Sequence, residues 1–254
     1  MDLPKTPSFR LDGRQALVAG ASRGIGLGCA IALAEAGAHV ICAARTSDAL
    51  DRSVKMMQRK GLSVEALTLD VTDRDSVEAG FTKAGPLDVF VNSAGIARHA
   101  PALETTPENY DAVMNTNVRG AYFATVAAAR SMVEAGRHGS IINVSSQMGY
   151  VGGIDRTVYA ASKHAIEGMT KSMAIEWAPH KIRVNTICPT FINTPLAAQT
   201  LADPKRRAWV ESKIKLGRVG EIEDIMGAVA FLASDAAALI TGSALLIDGG
   251  WTAD

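Results

Sequence analysis

The sequence has few cysteines, no long apolar run and no excess of charge of either sign. Its 254 residues carry 26 Lys and Arg against 26 Asp and Glu, so the formal net charge is zero. A chain without a basic field has little to attract a phosphate backbone, and we expect no nucleic-acid binding. Because no apolar run is long enough to cross a bilayer, we expect no membrane association either.

The three cysteines and five histidines are scattered rather than grouped. Cys29, Cys42 and Cys188 each stand among apolar residues, which is typical of buried free thiols in a reducing compartment. Neither a His-Glu-x-x-His nor a Cys-x-x-Cys motif occurs, so we predict no metal site. Since the first ten residues lack the apolar region of a signal peptide, a cytoplasmic location is expected.

Short apolar runs alternate about seven times with helical periodicity. The expected strands are Gln15–Ala19, His39–Ala44, Val64–Leu69, Val89–Asn92, Ser140–Val144, Arg183–Ile187 and Ala244–Ile247. Apolar strands joined by helices are typical of a parallel sheet that is covered on both faces. We therefore predict an α/β fold with a doubly wound parallel sheet of about seven strands, in a single domain over residues 1–254.

Capping residues mark several expected helix ends. Ser47 and Thr72 are predicted N-caps, and Thr106 followed by a proline predicts the start of a long helix that reaches about Ala135. Residues 189–220 have little regular structure beyond a short helix expected around Trp209. A stretch of this length inside a compact domain is often a substrate lid.

A glycine-rich turn follows the first strand. Gly20, Gly24 and Gly26 form Gly-x-x-x-Gly-x-Gly at the start of a helix, where glycine lets a pyrophosphate approach the helix N-terminus. A tight turn alone would also explain these glycines, so their weight comes from the strand–turn–helix context. Gly28, further along the same helix, is expected to serve packing.

Tyr159 and Lys163 lie four residues apart on one face of an expected helix over Tyr159–Trp177. Ser146 follows a strand end, the place where α/β sheets usually present their ligands. A nearby cation is expected to lower the pKa of the phenol from about 10, so that the phenol can transfer a proton. A chance pair on an exposed helix face would look the same, and the motif by itself does not decide between these readings.

With these motifs in this order and spacing, nearly the whole chain resembles the short-chain dehydrogenase/reductase family. Asp70-Val71-Thr72 is similar to the acidic segment that meets the adenine, and Asn92-Ser93-Ala94-Gly95 to an Asn-Asn-Ala-Gly motif. The resemblance implies a Rossmann-like fold. The catalytic residues that it implies are Asn117, Ser146, Tyr159 and Lys163. The full set of predicted coenzyme-binding residues is Gly20, Ser22, Arg23, Gly24, Ile25, Gly26, Arg45, Asp70, Val71, Asn92, Ala94, Gly95, Tyr159, Lys163, Pro189, Ile192 and Thr194.

The family resemblance also implies a mechanism, a hydride exchange between nicotinamide and a secondary alcohol or ketone. Tyr159 would give or take the oxygen's proton, and Lys163 would lower its pKa and bind the nicotinamide ribose. Ser146 would hold the substrate oxygen, while Asn117 would position a water that relays protons. A homotetramer, assembled through the two long helices and the last strand, is implied as well.

Three residues depart from the family pattern. Ala19 stands where Thr is usual, Ser93 where Asn is usual, and Thr190 where Gly commonly follows the proline. The first two replace supporting residues, so they bear on local rigidity more than on chemistry. Thr190 places a side chain beside the expected nicotinamide pocket.

The end of the second strand predicts the coenzyme. Ala44 occupies the position where a carboxylate would accept from the ribose 2′-hydroxyl of NAD, and Arg45 follows it. An arginine suits a 2′-phosphate, and Arg23 in the glycine-rich turn is a second cation within reach. We predict a preference for NADP(H), with NAD(H) possible, although surface arginines at loop tips are also common.

The substrate is defined less sharply by the sequence. The residues predicted to line its pocket are Ser146, Met148, Val151, Tyr159 and Phe191. A polyol, a sugar acid or another small ketone fits their mixed polarity, and a 3-oxoacyl thioester is an alternative. A non-catalytic coenzyme-binding regulator or scaffold is an alternative of another class. The complete set of four catalytic residues argues against it.

Overall fold

The computed structural model describes residues 3–253, with the backbone alone at Gln199. Its strands are β1 Gln15–Ala19, β2 His39–Ala44, β3 Val64–Thr68, β4 Val89–Asn92, β5 Ser140–Val144, β6 Arg183–Pro189 and β7 Ala244–Ile247. All pair in parallel, in the order β3-β2-β1-β4-β5-β6-β7. The order reverses between β1 and β4, which confirms the predicted doubly wound sheet. The single domain predicted over residues 1–254 includes residues 1, 2 and 254, which lie outside the described part.

Helices cover both faces of the sheet. They are α1 Gly24–Glu35, α2 Ser47–Arg59, α3 Arg74–Ala84, α4 Pro107–Met114, α5 Ala121–Glu134, α6 Thr157–Trp177, α7 Ala198–Leu201, α8 Pro204–Lys213 and α9 Glu223–Ala233. Side chains of α1, α2 and α9 contribute to one core cluster, and side chains of α3, α5 and α6 contribute to a second. None of the helices in residues 3–253 is both long and apolar enough to cross a membrane.

The strands supply both cores because alternate side chains point to opposite faces. In β1, Ala16 and Val18 belong to the α1 side, whereas Leu17 belongs to the α5 side. All three are fully buried. A strand buried on both faces needs apolar residues at every position, and this is why the sequence shows runs rather than alternation.

The surroundings of Gly28 confirm the packing role that was expected for it. A Cβ on Gly28 would collide with the Cγ2 atom of Ile222, just ahead of α9. The missing side chain therefore lets α1 and α9 approach closely across one face of the sheet.

Two predicted caps are wrong by one residue. The N-cap of α3 is Asp73, whose carboxylate accepts from the backbone N–H groups of Asp75 and Ser76. The Thr72 hydroxyl instead donates to Asp70 at 2.8 Å. Ser47 is the first residue of α2 rather than its cap. Both segments offer two adjacent polar side chains, and only the local backbone path selects between them.

The long helix predicted over Thr106–Ala135 is interrupted. Thr106 caps its start as predicted, accepting from Asn109 N–H, but residues Asn115–Gly120 form a π-helical segment between α4 and α5. A Cβ on Gly120 would lie 2.8 Å from the Val71 carbonyl oxygen. The wider turn thus sits where the helix passes closest to the end of the sheet.

Residues 190–220 hold two helices, α7 and α8, where one short helix was predicted. They enclose a small apolar cluster of their own around Val210 and Ile214, against which Phe191 and Trp251 pack. Phe191 and Trp251 stack with their ring centroids 5.8 Å apart. This small core fixes the segment over the carboxyl ends of β5 and β6.

Candidate active site

A pocket opens at the carboxyl ends of β5 and β6, beside α6. Its lining residues are Ile25, Ala97, His99, Ser145, Ser146, Gln147, Met148, Arg156, Tyr159, Pro189, Thr190, Phe191, Ile192, Thr194, Leu196, Ala197 and Thr200. Ser146 reaches it from the loop after β5 and Tyr159 from the first turn of α6. The fold therefore brings a hydroxyl and a phenol together at the edge where doubly wound sheets bind ligands.

Ser146 is held in place by backbone contacts. Its Oγ accepts from Met148 N–H at 3.1 Å and donates toward the Pro189 carbonyl at 3.5 Å. The side chain is 8% exposed, so its orientation is set before any substrate arrives.

The electrostatics of Tyr159 differ from the sequence-based expectation. Burial is the largest effect and raises the pKa of the phenol, while a hydrogen bond with Ser146 and the positive charge of Arg156 act in the opposite direction. The phenol's pKa is therefore raised rather than lowered. Removal from water favours the neutral phenol more than the neighbouring groups favour the phenolate.

Lys163 lies one turn further along α6, as predicted. Its Nζ donates to the Val144 carbonyl at 2.9 Å and lies 5.5 Å from the centroid of the Tyr159 ring. Burial lowers the pKa of Lys163 to about 8, and electrostatic interactions with Cys188 and Glu167 oppose this effect. The ammonium is thus anchored to the end of β5, beneath the phenol.

Asn117 lies in the π-helical segment and is 2% exposed. Its Oδ1 accepts from Ile96 N–H at 2.8 Å, and its Nδ2 donates to the Ile96 carbonyl at 2.9 Å and to Ser162 Oγ at 3.1 Å. The amide therefore clamps the loop after β4 onto α6. This is not the contact with nearby backbone that a mid-helix asparagine usually makes.

The glycine-rich turn has the shape that a dinucleotide requires. Gly20 has a φ of 82°, and a Cβ there would lie 2.8 Å from the Ser93 backbone. A Cβ on Gly26 would collide with the Gly20 carbonyl oxygen. Together these glycines let the N-terminus of α1 open directly onto the sheet edge. Beside it, Asn92 Oδ1 is buried without a partner among the described residues.

The remaining predicted coenzyme residues lie along the same edge. Ala44 is buried at the end of β2, while Arg45 and Arg23 are exposed. Neither arginine side chain makes a hydrogen bond or an ion pair within residues 3–253. Asp70 Oδ1 already accepts from Thr72 N–H at 2.9 Å.

Four of the five predicted substrate residues, Ser146, Met148, Tyr159 and Phe191, line the pocket, but Val151 does not. Val151 follows the short turn at Gln147–Gly149, and the next residues, Gly152 and Ile154, line a separate cleft. Sequence reasoning gave no role to Thr200, which enters the pocket from α7. Only the folding of residues 190–220 brings it there.

Comparisons with known proteins agree with this geometry. A family model described as enoyl-(acyl carrier protein) reductase matches residues 20–252. A D-erythrulose reductase from Gallus gallus is 39% identical over 96% of this chain and 98% of its own length. A gluconate 5-dehydrogenase from Gluconobacter oxydans (strain 621H) is 37% identical over 96% of both chains. The crystal structure of a gluconate 5-dehydrogenase from Burkholderia cenocepacia J2315, in complex with NADP and tartrate, has a TM-score of 0.93. It is 34% identical, and the match covers 97% of this chain and 98% of that one.

Proposed function

Because the chain belongs to the short-chain dehydrogenase/reductase family, we propose that it is an NADP(H)-dependent oxidoreductase acting on a small polyhydroxylated alcohol or ketone. One observation carries the proposal: Ser146 and Tyr159 face one pocket, with Lys163 anchored beneath the phenol. A protein that only bound a coenzyme would not need this arrangement.

Each side chain has a distinct task in the proposed reaction. Ser146, already oriented by Met148 N–H, donates to or accepts from the substrate oxygen. Tyr159 passes a proton to or from that oxygen as general acid or base. Lys163 holds the end of β5 against α6, and Asn117 holds the loop after β4 against α6. The water relay through Asn117 remains a prediction.

The coenzyme fits the residues that are present. The glycine turn leaves room for a pyrophosphate at the N-terminus of α1. Asn92 Oδ1, which has no partner among the described residues, and the segment Pro189–Thr194 would meet the nicotinamide. When bound, NADPH supplies the hydride. Arg45 and Arg23 are the residues that would bind a 2′-phosphate. The NADP-bound relative supports this preference.

A polyhydroxylated substrate explains the polar wall of the pocket better than an acyl thioester does. The amide of Gln147 and the Thr190 hydroxyl are buried and have no partner among the described residues. Groups of this kind need hydrogen bonds from a ligand. The relatives named for erythrulose and gluconate support the same class.

The test is NADPH oxidation at 340 nm with a panel of ketoses, keto acids and 3-oxoacyl thioesters, and NADP⁺ reduction with the matching alcohols. We expect turnover of polyhydroxylated compounds and little of thioesters. Tight NADPH binding without turnover of any compound would instead indicate a coenzyme-binding regulator.

We also propose a homotetramer in which residues 189–220 act as the substrate lid of each protomer. Exposed apolar side chains on the two long helices, such as Tyr122 and Ile175, support assembly through those faces. The exposed edge strand β7, with Leu246 at 41% exposure, supports a second contact. Light scattering at micromolar concentration should give the mass of four chains, and a monomer would contradict this assembly.

A cytoplasmic location is proposed because Cys29, Cys42 and Cys188 are all free thiols. Cell fractionation with an antibody to the chain tests it.

A further inference from the structure

Arg156 is a buried cation that makes no ion pair within residues 3–253, and the charge of Asp155 acts on it only at longer range. It is 7% exposed and stands at the N-cap of α6, three residues before Tyr159. Within the described residues, its guanidinium makes one hydrogen bond, from Nη2 to Thr200 Oγ1 at 3.2 Å. The nearest acid in sequence, Asp155, is paired with Arg206 at 3.9 Å. A guanidinium carries five donors, and leaving most of them unused in a buried site is costly.

The guanidinium faces the catalytic pocket rather than the core. Arg156 lines the same pocket as Ser146 and Tyr159, and no Asp or Glu does. The charge of Arg156 acts on the side chains of Tyr159 and His99, which both line this pocket. It opposes the rise in the pKa of Tyr159. After burial, it is the second cause of a pKa near 4 for His99. The free pocket is therefore cationic near neutral pH.

Gln147 adds an independent observation. It is 1% exposed and lines the pocket, and neither its Oε1 nor its Nε2 has a partner among the described residues. A buried amide left in this state needs both a donor and an acceptor from a ligand. A carbon chain that carries hydroxyl groups supplies both.

We propose that the substrate carries a carboxylate and that Arg156 binds it, with Gln147 holding a hydroxyl of the same molecule. The substrate is then a sugar acid or a related hydroxy acid rather than a neutral sugar. A guanidinium matches a carboxylate with two parallel hydrogen bonds. Since residues three apart on a helix are neighbours, the carboxylate lies a few bonds from the carbon that reacts at Tyr159. This inference rests on the proposed function, since it names the substrate class of the same pocket.

The reaction leaves the carboxylate unchanged. A secondary alcohol loses a hydride to NADP⁺ and a proton to Tyr159, giving a ketone, NADPH and a proton that is released to solvent. The carboxylate only anchors the molecule, so its effect falls on substrate affinity and on selection between substrates.

The experiment uses pairs of open-chain compounds that differ only at one terminal carbon: D-gluconate with D-glucitol, and L-threonate with L-threitol. For each pair, kcat/KM for NADP⁺ reduction is measured with the wild type, Arg156→Gln, Arg156→Lys and Arg59→Gln. Arg59→Gln is the matched control because it makes the same change at an exposed arginine in the last turn of α2, outside the pocket lining. NADPH affinity and the thermal midpoint verify that each variant is folded.

We expect the wild type to favour the acid of each pair, and Arg156→Gln to reduce that acid-to-alcohol ratio by about ten- to a hundredfold. Arg156→Lys should restore part of the ratio, and Arg59→Gln should leave it unchanged. Using a ratio cancels any effect of Arg156 on the pKa of Tyr159, because that effect is shared by both compounds.

Other outcomes separate this inference from the proposed function. Turnover of alditols with no preference for acids, or an equal loss for both compounds in Arg156→Gln, overturns the carboxylate site but leaves the oxidoreductase intact. If no compound turns over, calorimetric titration of the NADPH-loaded protein decides. Binding of D-gluconate that Arg156→Gln abolishes upholds the anion site while the proposed function fails, and no binding overturns both.

Discussion

At the residue scale, the protonation chemistry of the pocket is set by burial as much as by charge. Tyr159 and Lys163 are both pushed toward their neutral forms by removal from water, which raises the pKa of the phenol and lowers that of the amine. The hydrogen bond from Ser146 and the positive charge of Arg156 both act to lower the pKa of Tyr159, against the effect of burial. The sequence motif predicts that Tyr159 transfers the proton. It does not predict how burial and neighbouring groups combine to set the pKa of Tyr159.

Tyr159→Phe removes the proton carrier and keeps the ring. We expect a loss of at least ~10²–10⁴-fold in kcat with the best substrate of the panel. NADPH affinity, measured by fluorescence titration, should change little because the ring still packs beside Lys163. Substantial activity in this variant would contradict the assigned role of Tyr159.

Arg45 and Ala44 give the sharpest prediction on the coenzyme. A charge-assisted contact to a 2′-phosphate contributes about 1.5–3 kcal/mol, or roughly ten- to a hundredfold in affinity. Arg45→Ala should weaken NADPH by that factor and leave NADH nearly unchanged. Ala44→Asp should go further, since a carboxylate repels the phosphate but can accept from a free 2′-hydroxyl.

Both coenzymes are titrated against the wild type and the two variants at a fixed salt concentration. Arg52→Ala serves as the control because it removes another arginine from a helix near the same sheet edge. A wild type that prefers NADH, or an equal weakening of both coenzymes by Arg45→Ala, would place the protein among NAD users.

At the element scale, patterns of three and four residues located the helices but not their irregularities. The π-helical segment holding Asn117 lies inside a continuous helical periodicity, because one extra residue in a turn barely changes the apolar pattern. The segment ends at Gly120, which packs against the Val71 carbonyl from a much earlier part of the chain. Tertiary contacts of this kind have no local signal.

The cap of α3 provides an energetic test at this scale. Asp73→Ala should lower the free energy of unfolding by about 0.5–2 kcal/mol, because two backbone N–H groups lose their acceptor. Asp73→Asn keeps a side-chain oxygen and should cost much less. Urea unfolding of both variants measures this. If both match the wild type and Thr72→Ala is the costly change, then Thr72 is the true cap.

At the scale of the whole molecule, three buried thiols make stability sensitive to alkali. Burial raises the pKa of Cys29 from 9.0 to about 12, and those of Cys42 and Cys188 likewise. Above pH 9 the unfolded chain loses these protons while the native chain keeps them, so the unfolding free energy falls as pH rises. Lys163, whose pKa is lowered from 10.5 to about 8, raises the unfolding free energy as pH rises between those two values. The three thiols outnumber this single group, so their effect is the larger one.

Cys29→Ala isolates one of these contributions. At pH 8 the variant should be less stable than the wild type, because a buried atom is lost. Between pH 9 and 10 the difference should shrink by roughly 1 kcal/mol, since one titrating thiol has been removed. Urea unfolding at several pH values and one protein concentration, with a reductant present, measures the slope. A difference that stays constant up to pH 10 would contradict the prediction.

The sequence by itself determined the number and direction of the strands, the doubly wound order and the places of Ser146, Tyr159 and Lys163. Apolar periodicity, glycine turns and strand-end motifs are local, and each has one physical cause within a few residues. The tertiary structure alone decided the raised pKa of Tyr159, the clamp of Asn117 on Ile96 and the single bond of Arg156 to Thr200, 44 residues away. Burial and long-range contacts depend on what the folded chain places around a side chain, and no local pattern carries that information.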